Sequence, residues 1–473
     1  MDTLLRKIVA SKRTRHYALH AVFLKKFKKI SVCARARLCP TRLSCLARQD
    51  ERLNTRLSSS SILDLILGRL PQSYREHRSR HTLKLLAVIA FGCANALAQA
   101  QTLAGPPAAW SQFLAAELAA VAARNEPEIG VFVRELGSHA SVSYRADKSW
   151  YIASMVKVPV AIAVLRGVEA GAFTLDTTLR LRASDYVDGA GSTNGFPLAT
   201  PLSIRYLMEQ MIIFSDNTAS DMLIDLVGAA EVNATTASLV PQGFGRITSL
   251  AEVRRQIYGQ LTPEARHLSG AELIALNRIR NDRERLALLS QLVGKPVTDF
   301  KRRSLDAAYK AYYASGVNSA RLDAYAQLLT LLAEGKALGP ESTDHLLALM
   351  TRTATGQHRL KAGLEPGTRF AHKTGTQRRQ VCDAGLLRGA QAGAAPAAVV
   401  VACARGEMSL PRSESALRDV GNAICRSGLL NHGVTNAPSC DLAPRLERQP
   451  TGFPIAPYAT DSAAADEPAG SLR

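Results

Sequence analysis

The strand-like segments of this sequence fall into two groups, separated by a long helical stretch. Two segments with alternating apolar residues, at 130–136 and 141–147, flank the turn-forming residues GSHA. Three more strand-like segments come much later, at 369–376, 380–389 and 397–406. The two groups can share one sheet only if the intervening chain folds outside it. The pattern therefore predicts an α+β fold, an antiparallel sheet with an all-helical subdomain inserted between its halves.

Apolar residues at helical spacing mark both ends and the middle of the predicted domain, which we place at 105–430. The terminal helices are expected to pack on the sheet, and the cleft beside the helical subdomain is a favoured place for a site. A charged, helical-looking insertion at about 255–305 is interpreted as a surface elaboration, and the alternative is that it reshapes the cleft. The clearest helical segments are 110–125, 201–214, 220–228, 323–335 and 413–428.

The basic residues are concentrated ahead of this domain. Residues 1–98 hold 20 Lys and Arg against 5 Asp and Glu, whereas the rest of the chain carries a formal charge of only +4. The basic RSRHTLK, the short apolar LLAVIAFGCANAL and the small residues of ALAQA together form the pattern of a secretory signal. We therefore predict a signal peptide at 79–98 and a periplasmic or secreted protein. We interpret 1–78 as a basic leader that is disordered or that precedes the true start, and 431–473 as a flexible tail.

Four cysteines follow the predicted signal: Cys382, Cys403, Cys425 and Cys440. In an oxidising compartment an even number permits two disulfides, in any of three pairings. A cross-strand bridge between Cys382 and Cys403 is compatible with the neighbouring predicted strands. No CxxC pair or HExxH motif accompanies them, so we expect no metal and no cofactor. We also expect a monomer without a nucleic-acid partner, and no apolar run is long enough to span a bilayer.

The segment WYIASMVKVPVAIAVL places Ser154 three residues before Lys157, where an apolar run begins. If a helix starts at Ser154, this spacing puts both side chains on one face, with Cβ atoms about 5 to 6 Å apart. Burial lowers the pKa of a lysine, so that Lys157 could be neutral and take the hydroxyl proton. The alternative is an ordinary helix start in which Ser154 is the cap.

Two tripeptides complete a set of three motifs in a fixed order. Ser215-Asp216-Asn217 follows a helical run, and Lys373-Thr374-Gly375 falls on a late strand. Each one alone is also compatible with a turn or a strand end. Together with Ser154 and Lys157 they resemble the penicillin-recognising serine hydrolases, and among these the class A β-lactamases most closely. The resemblance runs from about 110 to 428 and implies a β-lactamase/D,D-peptidase-like fold.

The resemblance implies four catalytic or proton-handling side chains. Ser154 would attack the carbonyl of a strained amide, with Lys157 as base or proton relay. Ser215 would pass a proton to the leaving nitrogen. Asn217 would hold Lys157 and contact the side-chain amide of the substrate.

The resemblance also implies a substrate-binding strand. Lys373 would supply positive charge near the substrate carboxylate, and Thr374 would hydrogen-bond that carboxylate. Gly375 would leave room for the substrate backbone beside the strand. The amide N–H groups of Ser154 and Thr376 would form the oxyanion hole.

The region after Ser215-Asp216-Asn217 departs from the class A pattern. Class A enzymes carry a glutamate and an asparagine there, which position the water that frees the acyl-enzyme. This chain reads GRITSLAEVRRQIYGQLTPEARHLSG instead. We predict Glu252 as the deacylation base, with Gln256 in place of the asparagine. Glu264 and Glu272 are weaker candidates, and each of the three glutamates is also compatible with a solvated helix carboxylate.

The resemblance predicts a β-lactamase that hydrolyses the β-lactam amide through a serine acyl-enzyme. Its substrate would be a small-molecule β-lactam or a peptidoglycan-like peptide. The alternatives are a D,D-peptidase, an esterase-like hydrolase, or a penicillin-binding sensor that acylates without efficient deacylation. A water-activating carboxylate beside Ser154 would favour the first. His372 and Tyr186 could also face the cleft, although a structural histidine and a buried tyrosine are equally compatible with the sequence.

Overall fold

The computed structural model describes residues 108–125, 127–389, 397–406, 409–430, 435 and 440. All of these belong to the second of the chain's two units, Ala104–Arg473. The predicted leader, the predicted signal peptide and nearly all of the predicted tail lie outside the described residues, so their interpretation stays a prediction.

A five-stranded antiparallel sheet joins the early and late strands. Its strands are β1 (Glu128–Glu135), β2 (Ser141–Tyr144), β7 (Arg369–Gln377), β8 (Gln380–Arg388) and β9 (Ala398–Arg405). They lie in the order β2-β1-β9-β8-β7. The two halves meet where β1 pairs with β9, in a register that runs from Glu128 opposite Arg405 to Glu135 opposite Ala398. This arrangement confirms the predicted α+β fold. Two small antiparallel sheets pair β3 (Ser149–Tyr151) with β6 (Ser319–Arg321) and β4 (Thr178–Arg180) with β5 (Pro201–Ser203).

The helices form two groups at the ends of the domain and a long series between the sheet halves. Several helices begin at a residue that commonly caps helices. The side chains of Asp216, Ser249 and Asn281 each accept a hydrogen bond from a backbone N–H group in the first turn of the helix that follows. In chain order the α-helices of the described residues are α1 (Ala109–Arg124), α2 (Lys157–Glu169), α3 (Ile204–Ile213), α4 (Asn217–Val227), α5 (Ala229–Leu239), α6 (Leu250–Tyr258), α7 (Gly270–Arg278), α8 (Asp282–Val293), α9 (Leu305–Tyr313), α10 (Leu322–Ala333), α11 (Pro340–Thr351), α12 (Leu360–Gly363) and α13 (Leu410–Arg426).

Both faces of the sheet are covered, which explains why β9 is apolar from Ala398 to Ala404. In β9, Val400 and Ala402 belong to the apolar cluster that holds α1 and α13, as predicted for the terminal helices. The alternate residues Val399 and Val401 belong to the larger cluster that holds α2 and α10. Because side chains alternate along a strand, burial on both faces needs a continuous apolar run rather than an alternating one.

The insertion does more than elaborate the surface. Helices α6 to α9 build a third apolar cluster, and this cluster includes Tyr151 and Ala153, just before Ser154. Arg378, at the β7–β8 turn, forms ion pairs with Asp282 and Asp306 of the same helices. Helices α6 to α9 therefore pack on the residues just before Ser154 and contact the β7–β8 turn, which is more than the expected surface elaboration.

The four cysteines form two disulfides, Cys382–Cys403 and Cys425–Cys440. The first joins residues that face each other on β8 and β9, as the predicted strands allowed. Within the described part of the chain, no helix combines the length and the apolar character needed to cross a membrane.

Candidate active site

Ser154 lies in a single 3₁₀ turn, Ala153–Val156, that leads directly into α2. The α-helix begins at Lys157 rather than at Ser154, and the start of α2 has no side-chain cap. The interpretation of Ser154 as a helix cap is therefore wrong. The turn is entered through Ala153, whose φ of 47° lies in the left-handed region. Such a conformation is costly for a residue with a Cβ and is typical of functional sites.

Lys157 is fully buried and links the first and last residues of the Ser215-Asp216-Asn217 motif. Its Nζ donates to the backbone oxygen of Ser215 at 2.6 Å and to Oδ1 of Asn217 at 2.8 Å. It also lies 3.3 Å from Oγ of Ser215. Burial lowers the pKa of Lys157 from 10.5 to about 7, although the charges of Asp216 and Asp221 act in the opposite direction. A neutral amine, which can accept a proton, is therefore accessible near neutral pH.

Ser215 lies at the sharp turn between α3 and α4, with a φ of 61°. Asp216 fixes this turn, because its carboxylate accepts from Ala219 N at the start of α4 and from Thr193 N. Nζ of Lys373 donates to Oγ of Ser215 at 2.9 Å. The hydroxyl of Ser215 accepts this hydrogen bond, which leaves its own proton free to be donated.

Lys373 is also fully buried, in the middle of β7. Burial lowers the pKa of Lys373 well below its usual value, the cations Lys157 and Arg359 lower it further, and Asp383 acts in the opposite direction. The hydroxyl of Ser215 thus lies between two amines whose charged forms are both destabilised. This arrangement favours movement of a proton between them.

Strand β7 is the edge strand of the sheet, and its open edge faces the Ser154 turn. Gln377 and Gln380 close a two-residue turn, so we take them as a hydrogen-bonded pair. Hydrogen-bonded and non-hydrogen-bonded pairs alternate along an antiparallel ladder, which places Thr376 in a non-hydrogen-bonded pair. Its N–H then points away from β8, towards the open edge. This geometry matches the oxyanion donor that the sequence predicted for Thr376.

Gly375 has a role that the sequence did not indicate. A Cβ at this position would lie 2.3 Å from the backbone oxygen of Ile152 and 3.4 Å from Cβ of Ala153. The missing side chain therefore lets β7 approach the chain just before Ser154. Gly375 is also not among the residues that line the cleft, so the expected contact with the substrate backbone finds no support.

We expect Gly375→Ala to destabilise the protein by about 1 to 3 kcal/mol, because an added methyl group there must displace backbone. It should also move Thr376 away from Ser154 and slow acylation of Ser154. Gly389→Ala is the matched control, since a Cβ at Gly389 meets no atom of the described residues within 4 Å. Urea unfolding of both variants checks the difference, and equal midpoints would contradict the assigned role of Gly375.

A cleft of about 230 Å³ opens beside the Ser154 turn. Five of the nine predicted site residues line it: Ser154, Ser215, Asn217, Thr374 and Thr376. Lys157 and Lys373 lie directly behind Ser215 and reach the cleft through its hydroxyl. The other lining residues are Tyr151, Ala153, Gly189, Ala190, Leu250, Arg254, Thr355 and Gln377.

Glu252, predicted as a catalytic residue, is not among the residues that line the cleft. Helix α6 presents Leu250 and Arg254 to the cleft, four residues apart and therefore on one helical face. Glu252 falls between them on a different face, and its carboxylate accepts a hydrogen bond from Gln256. The structure therefore does not place Glu252 and Gln256 at the cleft, where a deacylation base would act, because Leu250 and Arg254, each two residues earlier, occupy the cleft face of α6.

The weaker candidates have structural roles. Glu272 forms a capping box with Ser269 at the start of α7. Glu264 is exposed and pairs with Lys295.

Two residues that could have faced the cleft turn out to be structural. Nδ1 of His372 lies 2.7 Å from Oδ1 of Asp383, and both side chains are fully buried in the sheet. The hydroxyl of Tyr186 donates to the backbone oxygen of Phe196. Neither residue is among those that line the cleft.

Three functional neighbours were missed by the sequence reasoning. Asp221 accepts from the N–H groups of Leu250 and Ala251 and so anchors the start of α6. Arg359 donates to the backbone oxygen of Gly375 and to Oγ1 of Thr376. Arg254 lines the cleft. The sequence held one signal for Arg254. It follows Leu250 by four residues in the helix that Ser249 caps, and this spacing places both side chains on one helical face.

Comparison with known proteins gives consistent matches across this domain. A family model described as the beta-lactamase enzyme family matches residues 113–427. A β-lactamase of Streptomyces fradiae is 33% identical over 154 residues, which cover 31% of this chain and 50% of the relative. The β-lactamase AST-1 of Nocardia asteroides is 26% identical over 248 residues, which cover 52% of this chain and 62% of the relative. The chain thus spans about half to two thirds of the length of these curated relatives.

Solved structures show the same fold. A crystal structure of a β-lactamase from Xanthomonas campestris superposes with a TM-score of 0.50 at 20% identity, covering 67% of this chain and 97% of that chain. At this identity the likeness concerns the arrangement of sheet and helices.

Proposed function

Since this chain belongs to the beta-lactamase enzyme family, we propose that it is a class A-like serine β-lactamase with Ser154 as nucleophile. The observation that carries this proposal is the buried chain of contacts from Lys157 through Ser215 to Lys373, which opens into the cleft at Ser154. A serine beside a desolvated amine is an activated nucleophile. The substrate would be a β-lactam or a peptidoglycan-like peptide.

Acylation follows from these groups. Neutral Lys157 takes the hydroxyl proton of Ser154, and Oγ of Ser154 forms a bond to the amide carbonyl carbon. The N–H groups of Ser154 and Thr376 would stabilise the oxyanion; one such donor is worth about 3 to 4 kcal/mol in comparable sites. The C–N bond then breaks, Ser215 donates its proton to the leaving nitrogen, and Lys157 returns a proton to Ser215.

The substrate carboxylate is assigned to the Lys373 end of the cleft. Lys373 presents an N–H donor behind Ser215, and Thr374 presents a hydroxyl that shares a 2.6 Å hydrogen bond with Thr355. N–H and O–H donors are suitable partners for a carboxylate, because hydrogen bonds to an ionised acceptor are strong. A substrate bound with its carboxylate at this end would have its lactam nitrogen near the hydroxyl of Ser215.

Deacylation needs a group that takes a proton from water. Among the described residues that line the cleft there is no carboxylate, and Lys157 is the group whose pKa suits this task. The presence of Leu250 and Arg254 on the α6 wall also favours a second candidate function. This is a penicillin-binding enzyme or peptidase that β-lactams acylate and block.

We also propose that the protein is exported to the periplasm or secreted. The two disulfides support this proposal, because such bonds persist in oxidising compartments. The three-part signal pattern at 79–98 supports it independently.

The test is the intact mass of the purified chain, followed over time with benzylpenicillin. A transient adduct with released penicilloate would support the β-lactamase, and a persistent adduct would support the second candidate. We expect Glu252→Gln to leave the adduct lifetime within about twofold of the wild type, because its carboxylate contacts Gln256 outside the cleft lining. The absence of both an adduct and released penicilloate would refute both functions.

A further inference from the structure

We propose that Arg254 forms an anion-binding subsite in the cleft, which selects substrates whose acyl side chain carries a carboxylate. The inference rests on the function proposed above, because it concerns the substrate that acylates Ser154. It assigns a binding role to a residue that neither the sequence motifs nor the proposed chemistry uses.

Arg254 is held by one edge of its guanidinium group. Its Nε lies 2.8 Å from Oδ1 and 2.9 Å from Oδ2 of Asp188. The two side chains are 13% and 4% exposed, so this ion pair is largely shielded from water. Among the described residues, none accepts a hydrogen bond from the two Nη groups of Arg254. An arginine has five N–H donors in a planar fork, so four remain for a ligand.

The backbone that carries Arg254 is fixed. Ser249 caps α6, and both carboxylate oxygens of Asp221 accept N–H groups from its first turn. Tyr151, beside Arg254 in the cleft wall, stays neutral because burial raises its pKa to about 12. The guanidinium group is therefore presented to the cleft in one position, which limits the entropy lost when it binds a ligand.

The position of Arg254 suits the acyl side chain of a substrate. The proposed binding mode places the substrate carboxylate at Lys373 and Thr374 and the reacting carbonyl at Ser154. The acyl side chain of the substrate lies on the opposite side of that carbonyl and therefore contacts the remaining walls of the cleft. These walls are formed by Asn217 and by the lining residues Tyr151, Gly189, Ala190, Leu250, Arg254 and Gln377.

Arg254 is the one charged side chain among the described residues that line the cleft. A carboxylate placed there would gain charge-assisted hydrogen bonds from the Nη groups. Asp188 offsets part of the charge, but both of its oxygens are directed at Nε. A side chain with an acidic group next to its amide is therefore the class of substrate that this wall recognises.

A purely structural role makes a different prediction. The backbone oxygen of Asp188 accepts from Nδ2 of Asn217, which in turn contacts Lys157. If Arg254 served only to hold Asp188, its loss would disturb Asn217 and slow the reaction with every substrate alike. A binding role instead changes the ratio between a substrate with an anionic acyl side chain and one with a neutral acyl side chain.

The matched probes are benzylpenicillin and its α-carboxylated derivative, carbenicillin, which differ in one carboxylate on the side chain. We expect the wild-type chain to be acylated by carbenicillin at least as fast as by benzylpenicillin. We expect Arg254→Gln to lower the ratio of the two second-order acylation rate constants by about tenfold to a hundredfold, the usual range for hydrogen bonds between charged groups. Arg266→Gln, at an exposed arginine of the same insertion, should leave the ratio unchanged.

Arg254→Gln leaves Asp188 buried without its partner, so the double variant Asp188→Asn with Arg254→Gln is measured as well. The same fall in the ratio for this variant supports the subsite. A wild-type chain that reacts more slowly with carbenicillin, or a ratio that the Arg254 variants do not change, overturns the inference while the proposed function stands. A wild-type chain acylated by neither compound overturns the proposed function and, with it, this inference.

Discussion

Ser154→Ala is expected to abolish the covalent adduct with benzylpenicillin and to lower β-lactam turnover by about 10⁴- to 10⁶-fold, the scale seen when a nucleophile is removed from a serine hydrolase. Ser154 lies in the 3₁₀ turn at the mouth of the cleft, and its side chain does not cap α2. The substitution therefore removes the attacking oxygen without removing a cap. The measurement is the intact mass of the chain after incubation with the β-lactam, together with the rate of ring opening.

Ser192→Ala is the matched control, because Ser192 is exposed and is not among the residues that line the cleft. We expect it to react as the wild type does. Thermal melting of both variants should confirm that each is folded. An adduct of unchanged mass and rate on a folded Ser154→Ala chain would mean that another residue is the nucleophile.

The fold could be predicted from sequence because its signals are local and strong. The early strands, the late strands and the terminal helices show their periods within short windows, and the structure places them as expected. The pairing of β1 with β9 was also accessible, since the two strand groups needed a common sheet. The packing role of the insertion was not accessible, because its many charges suggested a solvated surface. The structure instead shows an apolar cluster under α6 to α9 and pairs Asp282 and Asp306 with Arg378.

The site residues that belong to the three motifs could be predicted from the sequence. The residues that α6 presents to the cleft could not, because the start of this helix had to be assumed. Ser154, Lys157, Ser215 and Lys373 belong to the three motifs. The structure joins Lys157 and Lys373 to Ser215 by hydrogen bonds, and Ser215 lines the same cleft as Ser154. Glu252 was chosen by distance along the chain alone. The start of α6 is set by a contact distant in sequence, Asp221 with the N–H groups of Leu250 and Ala251. That contact decides which residues face the cleft, and a single sequence does not show it.

Lys157→Met is expected to slow acylation by about 10²- to 10⁴-fold, the usual contribution of a general base. Lys157 is fully buried, so methionine fits its volume, and the fold should be kept. The variant loses both the proton acceptor for Ser154 and the hydrogen bonds that join Ser215 to Asn217. Lys310→Met, at an exposed lysine of α9, is the control and should react as the wild type does.

The pH dependence of acylation distinguishes a base from a merely structural lysine. Because burial lowers the pKa of Lys157 to about 7, half of the amine is neutral at that pH and only about one tenth at pH 6. The acylation rate constant of the wild type should therefore rise about tenfold per pH unit below 7 and level off above it. Lys157→Met should lose this rising limb as well as the rate. A variant that is slow but keeps the same limb would show that Lys157 only holds Ser215 and Asn217 in place, and that the proton of Ser154 goes to another group.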